Sequence, residues 1–448
     1  MSLPGYSEYR DCGVAWLGDV PAQWVITPIK YLGNLKGGAG FPHSDQGLRD
    51  EEIPFHKVNA LAQAGFDGVL LRGENSISLD TAERLGAFVF PAGSLVFAKV
   101  GAALLMGRIR KISEPACIDN NMMGFVIDET NHDVEFIRYA LSLVQFDLIA
   151  NPGTVPSLNE SQIGNYWLSI PNKEEQKVIA NFLNQETAKI DGLIAEQEKL
   201  IALLAEKRQA TISHAVTKGL NPDVPMKDSG VAWLGEVPEH WSIKPLRYCI
   251  DFQEGPGIMA ADFEESGIPL LRVSGVQNRW ASLDGCNYLN AERVANKWHH
   301  FRLEEGDLLI SASASMGTVC EIGPDTAGSI PYTGLIRLRG KTDEMIKPFV
   351  RSLVVSAEFM VQIDLLKAGA TIQHFGPTHL SQMIIARPPI DEQEYISAFI
   401  EHESARLDEL TAEATRGITL LKERRSALIS AAVTGKIDVR QLAVAEAA

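Results

Sequence analysis

The chain repeats itself at a constant offset of 217 residues. DCGVAWLGDVPAQW (11–24) returns as DSGVAWLGEVPEHW (228–241), so that Trp16 is answered by Trp233. EEQKVIANF around Gln176 returns as DEQEYISAF around Gln393, and EKRQATISHAVT (206–217) returns as ERRSALISAAVT (423–434). Between these landmarks the two copies hardly resemble each other. This pattern is a tandem duplication, in which matched framing segments surround two diverged inserts of nearly equal span, and it restricts the fold to two like halves. A like frame carrying two unlike inserts suits a protein that binds a two-part target.

At 448 residues the chain has material for two to four domains of roughly 100–200 residues each. The five cysteines, Cys12, Cys117, Cys249, Cys286 and Cys320, are odd in number, lie far apart and show no metal-ligand spacing. That argues against a disulfide framework and a zinc site, and fits a reducing compartment. The N-terminus has neither a basic start nor an apolar stretch, so no signal peptide is expected. LGAFVFPAGSLVFAKVGAALLMG (85–107) is long enough to cross a membrane. Pro91, Gly93, Ser94 and Gly101 interrupt it, however, and Lys99 at mid-bilayer would cost about 2.5–3.5 kcal/mol. It is predicted to form two buried strands joined by a turn at Pro91–Gly93, and no membrane association is expected.

Each copy has the same order: a Trp-containing lead-in, a mixed insert and a long helix. In the first helix Asn172 can cap, with Glu175 at capping-box spacing. Ile190, Leu193, Gln197, Leu200 and Leu204 then follow in steps of three and four, as in a coiled-coil seam, and Gly219 and Pro222 end the helix near Lys218. In the second copy Asp391 starts the helix, and Leu407, Leu410, Ala414, Gly417, Leu421 and Leu428 trace the same stripe. Gly417 weakens that helix by roughly 1 kcal/mol relative to Ala. Each helix would be roughly 60–70 Å long at about 1.5 Å per residue. Neither can bury its stripe alone, and a duplication favours a pseudo-twofold axis that makes the pair antiparallel. The inserts, about 36–160 and 253–376, carry short β-branched and aromatic runs: AFVF, SLVFAKV and GFVID in the first, IPLLRVSGV, DLLISAS and GLIRLRG in the second. Single helices are predicted over 136–150 and 347–363. IPFHKV (53–58) answers IPLLRV (268–273), and PAGSLVF (91–97) answers EEGDLLI (304–310), which points to one fold with two surfaces.

The two VPxxW lead-ins, the P-x-x-E-Q-type helix starts about 150 residues on, and the alternation of unlike insert with like helix resemble the specificity subunit of type I restriction-modification enzymes. The similarity covers essentially the whole chain. It implies an α+β fold with two similar mixed, β-rich target recognition domains separated by two long helices that form an antiparallel coiled coil. The corresponding division is 1–170 for the first recognition domain with its Trp segment, 171–220 for the first helix, 221–387 for the second recognition domain and 388–440 for the second helix. The resemblance further implies a non-catalytic, cytoplasmic subunit that reads a split, asymmetric site in double-stranded DNA. Such a subunit docks two methyltransferase subunits and, through them, two restriction subunits that act as endonuclease and translocase. No cofactor is expected on this chain; S-adenosylmethionine, ATP and Mg are expected only on the partners.

Candidate DNA-contacting residues are the basic and amide side chains of the inserts. In the first they are Lys57, Arg72, Lys99, Arg108, Arg110, Lys111, Asn120 and Asn121. In the second they are Arg272, Gln277, Asn278, Arg279, Arg293, Lys297, His299 with His300, Arg337, Arg339 and Lys341. Arg reads guanine bidentately, Asn and Gln read adenine, and Lys mostly holds phosphate. Each also has an ordinary role as a solvated surface residue. Net charge is −16, and neither insert is basic: residues 42–156 hold 9 Lys/Arg against 15 Asp/Glu, and 253–374 hold 11 against 15. Any DNA face is therefore a local patch, and much of the attraction to phosphate must come from partners. Trp16, Trp24, Trp233 and Trp241 could anchor a partner or pin the lead-in to the insert or helix ends. KGGAGFP (36–42) lacks GxGxxG spacing and is predicted to be a turn. No Walker loop, NPP[FY]-type methylation loop, metal cluster or GxSxG occurs. A different reading, a coiled-coil scaffold with two ligand- or protein-binding heads and no DNA function, would account more simply for the acidity.

Overall fold

The computed structural model describes residues 4–65, 68–277, 279–313, 316–367 and 375–440. The chain divides into two compact units, Met1–Glu198 with Thr415–Ala448, and Lys199–Ala414. The division runs through both long helices, Lys173–Lys218 and Ile390–Val433.

Each unit contains a hairpin built from the repeated lead-in: Tyr9–Asp11 against Asp19–Pro21 in the first, Met226–Asp228 against Glu236–Pro238 in the second. The next strand, Val25–Pro28, pairs antiparallel with Trp167–Ile170, the last strand before the long helix. Ser242–Pro245 pairs in the same way with Ile384–Arg387. Both ends of each insert are thus held side by side in a two-stranded ribbon, and everything between can vary without moving the frame.

The inserts share one strand plan. In the first unit a sheet runs Gly33–Gly37, Met122–Ile127, Leu95–Ala98, Arg110–Ile112, Val69–Leu70. In the second the order is Ile250–Glu254, Leu335–Gly340, Leu308–Ser311, Val319–Glu321. A smaller sheet centres on Ile53–His56, parallel to Cys117–Ile118 and antiparallel to Ser76–Ile77. Its counterpart centres on Ile268–Leu271, parallel to Ile330–Pro331 and antiparallel to Asn287–Leu289. Helices and short strands mix as in an α+β fold. The apolar run 85–107 departs from the predicted strand pair. Only Leu95–Ala98 is a strand, Phe90 makes a single bridge to Ala116, and Ala102–Leu105 is a helical turn. The turn itself is present: Ser94 N donates to Pro91 O at 3.2 Å, and Gly93 has φ +88°. Among the described residues no helix is long and apolar enough to cross a membrane.

Each predicted insert helix is broken in two. Val134–Leu141 and Phe146–Ile149 replace a single helix over 136–150, and Lys347–Val354 and Ala357–Lys367 replace one over 347–363. In the second case Ser356 stops one helix and starts the next, its hydroxyl donating to Leu353 O and accepting from Phe359 N.

In the first unit, Ile179, Ala180 and Leu183 share a core with Ile429, Ala432 and Val433, and Asp191 pairs with Arg425 at 2.9 Å. Residue numbers rise along one helix as they fall along the other, so the segments are antiparallel. The second unit shows the same arrangement, with Ile212, Ala215 and Val216 beside Ile396 and Ile400, and Arg208 paired with Asp408. The 217-residue offset turns Asp191 into Asp408 and Arg208 into Arg425, so the two ion pairs are one interaction made twice.

The buried stripe differs from the predicted seam in alternate members. Ile190 and Leu204 are buried and Gln197 is half-buried, but Leu193 and Leu200 are 52% and 40% exposed, and Ile194 and Ile201 take their places. In the second helix Leu407 and Ala414 are buried and Leu421 and Leu428 half-buried, whereas Leu410 is 40% exposed and Thr411 lies in the stripe. The Leu193–Ile194 and Leu200–Ile201 doublets each satisfy a step of either three or four, and only the facing helix decides which member turns inward.

Two measurements test this frame. Trp24→Ala should lower stability by about 3–5 kcal/mol through loss of a buried indole, and Trp24→Phe by a smaller amount, read from urea midpoints. Reversing both charges of the Asp191–Arg425 pair should recover much of what either reversal alone loses. A double-mutant cycle coupling of about 0.5–3 kcal/mol is expected, and zero coupling would show the pair to be incidental.

Candidate nucleic-acid interface

The repeated frame motifs turn out to be clamps. Trp24 is buried, and its indole N–H donates to Glu175 Oε1 at 3.1 Å, in the first turn of the long helix. The Tyr6 hydroxyl donates to the same oxygen at 2.8 Å. Burial, then this bond to a carboxylate, raises the Tyr6 pKa and keeps the phenol protonated. In the second unit Trp241 donates to Glu392 Oε2 at 3.0 Å, with His240 Nε2 2.7 Å from the same oxygen. Neighbouring Gln176 accepts from Asp133 N and donates to Pro171 O, and Gln393 accepts from Ile346 N and donates to Pro388 O and Glu344 O. The Glu-Gln pair therefore fixes the lead-in, the insert helix and the long helix together. The predicted capping role holds for Asn172, whose Oδ1 accepts from Glu175 N at 3.0 Å, but the Glu175 side chain is taken by Trp24 and Tyr6. Sequence reasoning missed these Glu and Gln roles, although their recurrence at the repeat offset was the available signal. Trp16 and Trp233 are half-buried, Trp16 lying 5.1 Å from the ring of Tyr166.

Within the first insert, backbone hydrogen bonds draw four candidates to one edge of the larger sheet. Strands 33–37 and 95–98 end there and 122–127 begins there. Gly38 N donates to Met122 O, Ala39 N to Ile118 O, Lys99 N to Asn121 O and Asp119 N to His56 O, at 2.8–3.1 Å. A Cβ on Gly38 would lie 2.2 Å from the Asp119 carbonyl, so this close approach requires glycine. Lys57, Lys99, Asn120 and Asn121 consequently cluster from three separate stretches of sequence. KGGAGFP forms part of the cluster as a strand end and turn.

The second insert builds the same edge. Gly255 N donates to Leu335 O, Ala312 N to Gly334 O and Tyr332 N to Leu271 O, at 2.8–2.9 Å, and a Cβ on Gly255 would lie 2.2 Å from Pro331 O. Arg272 stands where Lys57 stands in the first unit. Its guanidinium lies 4.2 Å over the Tyr332 ring and donates to Asn287 Oδ1 at 2.9 Å.

The remaining candidates are dispersed or already partnered. Arg72 pairs with Glu114 at 2.8 Å and donates to the carbonyls of Glu51 and Glu52; its bond to Glu114 raises its pKa. Arg110 donates to Leu61 O, and Lys111 pairs with Glu135. Burial alone would raise the Glu135 pKa, but Arg138 and Lys111 outweigh it and hold the carboxyl below its ordinary range. Arg108 is half-buried just before the 110–112 strand. Arg279 pairs with Glu401 at 3.4 Å and Arg293 with Asp262. Arg339 is held by Asp307 and Glu304, the Asp307 bond raising its pKa, while burial lowers that of Arg337. Lys341 donates to Arg247 O and lies 3.4 Å from Asp251. Gln277 donates to Val273 O, Lys297 lies 5.1 Å over the Trp298 ring, and His299 and His300 are exposed. Asn278 lies outside the described residues. A cavity of about 370 Å³ in the first unit is lined by Lys111, Glu135, Arg138, Asn184, Thr187 and Asp191 among others. Its charges are mutually paired or bonded to Arg425, so it presents no free charge to a ligand.

The arrangement predicts a division among the cations. Lys99→Ala should weaken DNA binding and reduce its salt slope by about one, whereas Arg72→Ala should change affinity at fixed salt by less than about twofold. Filter binding across a salt series measures both, and the opposite order would displace the interface from this edge.

Residues 21–202 match the family described as type I restriction modification DNA specificity domain. The chain is 24% identical over 313 residues to the MjaVIII specificity subunit of Methanocaldococcus jannaschii, covering 68% of this chain and 71% of that one. It is 20% identical over 440 residues to the EcoKI specificity subunit of Escherichia coli K12, covering 94% and 91%. Among solved structures it resembles a chain from a study of type I R-M complex assembly and conformational transition (TM-score 0.68, 14% identity, 92% and 98% covered). It also resembles the HsdS subunit of Thermoanaerobacter tengcongensis (TM-score 0.50, 15% identity, 93% and 98% covered). At such identities the structural likeness speaks to the fold.

Proposed function

We propose that this chain, which belongs to the type I restriction-modification DNA specificity family, is the non-catalytic subunit that reads DNA sequence for its system. The observation that carries this reading is the pairing of a duplicated frame with two inserts of one strand plan whose corresponding edges differ in chemistry. Lys57, Lys99, Asn120 and Asn121 stand at the first edge, and Arg272 with Tyr332 at the second. Two unlike edges on like scaffolds suit two unlike half-sites. The similarity to specificity subunits favours this reading over a scaffold without DNA function.

The partners are double-stranded DNA, methyltransferase subunits and restriction subunits, two of each enzyme subunit. S-adenosylmethionine, ATP and Mg belong to those partners. The long helices, at 46 and 44 residues, are the spacer that fixes the separation of the half-sites. Two heads reading one face of B-DNA need roughly 34 Å per helical turn between them, and a stiff helical pair holds such a distance better than a flexible linker. Because the net charge is −16 and cations of the inserts such as Arg72, Arg293 and Arg339 already have acidic partners, the methyltransferase supplies much of the attraction to phosphate.

Two outcomes are expected of the reconstituted complex. The isolated chain binds DNA weakly, and adding methyltransferase subunits tightens binding by orders of magnitude in a titration at fixed salt; equal affinity would refute the shared attraction. Replacing residues 36–160 with the insert of another family member changes one half of the methylated site only, and a change in both halves would refute the division of labour.

A further inference from the structure

We propose that bases are read at the common edge by Asn120 and Asn121 in the first unit and by Arg272, braced on Tyr332, in the second. This rests on the DNA-reading function above and assigns its specificity to three side chains.

Three observations lead here. The two edges are built by corresponding backbone hydrogen bonds, and elements common to both units cannot tell one half-site from the other. What differs is the turn between the short parallel strand and the next sheet strand, Asp119-Asn120-Asn121 against Tyr332-Thr333-Gly334, together with the residues beside it, Lys57 against Arg272 and Lys99 against Ala312.

The second observation is availability. The side-chain amides of Asn120 and Asn121 are exposed and engage no partner among the described residues. Most of the arginine candidates elsewhere are bound to carboxylates or carbonyls. An amide with a free donor and a free acceptor on the same group matches the N6 and N7 edge of adenine, and a guanidinium fork matches O6 and N7 of guanine.

The third is rigidity. Asp119 Oδ1 accepts from Asn121 N at 2.6 Å, and Asn121 O accepts from Lys99 N at 2.8 Å, so the turn is fixed before DNA arrives. Arg272 is fixed differently. Its plane lies on the Tyr332 ring and one nitrogen donates to Asn287, which leaves further N–H groups for a base. In the second unit Thr333 is bound to Pro256 O at 2.9 Å and leaves the reading to Arg272. Lys57, whose Nζ donates to Gln46 Oε1 at 2.9 Å, and Lys99 are point charges beside the Asn pair that contact phosphate and set register without selecting sequence.

The test uses the full chain assembled with its methyltransferase subunit, with methylated bases mapped on a random-sequence DNA library. A split site from the wild-type complex establishes the DNA-reading function; no sequence preference at all would sink that function rather than this assignment. Given a split site, the Asn120→Ala/Asn121→Ala variant should lose discrimination at A·T pairs of one half by about 5- to 150-fold. Arg272→Lys, which keeps the charge but not the fork, should relax G·C pairs of the other half only. Lys99→Ala should lower methylation evenly over all sequences. Equal melting temperatures verify that each variant folds. An unchanged site in the Asn and Arg variants, or an even loss over all sequences, overturns the assignment, as does a shift in both halves from a single variant.

Discussion

Each unit depends on one buried bond, from a tryptophan indole to a glutamate at the start of a long helix. Trp24 and Trp241 are too large and too buried to leave the N–H unpaired, and Glu175 and Glu392 accept it. The acceptors sit in the first helical turn, where a carboxylate is favoured by the helix dipole. The same indoles touch the end of the opposite helix. A Cβ on Gly435 would lie 3.3 Å from Trp24, and one on Gly219 would lie 3.3 Å from Trp241, both glycines having left-handed φ of +73° and +74°. One side chain therefore fixes the lead-in, the start of one helix and the end of the other. This explains why the lead-in and the Glu-Gln segment survive in both copies while the inserts diverge.

The clamp also explains how the inserts are free to differ. Strands 25–28 and 167–170, and 242–245 and 384–387, bring the two ends of each insert together before it leaves the frame. Between those ends the fold asks only for the strand plan and a buried face. Insert-to-helix chemistry can even change sign. The first unit pairs Lys111 on a strand with Glu135 on a helix, and the second pairs Glu321 on a strand with Lys347 on a helix. The same latitude is what a protein would need to acquire new DNA targets without losing its docking frame.

Acidity and DNA recognition are compatible on these terms. Arg72, Lys111, Arg293 and Arg339 neutralise nearby carboxylates within the inserts, so they are poorly placed to serve phosphate. What remains at the common edge is a small set of groups suited to geometry rather than bulk attraction. On the proposed reading, sequence preference comes from this chain and much of the affinity from partners, a separation that favours exchange of recognition surfaces.

The sequence alone determined the duplication, the two long helices and the segments that would match between copies, because these are local patterns or recurrences at a constant offset. It also placed IPFHKV against IPLLRV and PAGSLVF against EEGDLLI, and these segments contribute corresponding strands in the two units. Tertiary structure decided the rest. Only a facing helix could choose Ile194 and Ile201 over Leu193 and Leu200, since adjacent apolar residues are equivalent to a period of 3.6. Only close packing could turn Glu175 from a capping residue into the acceptor for Trp24 and Tyr6. Only the sheet could gather Lys57, Lys99, Asn120 and Asn121 while leaving Arg108, Arg110 and Lys111 elsewhere, because strand pairing acts across distances in sequence that no local pattern records.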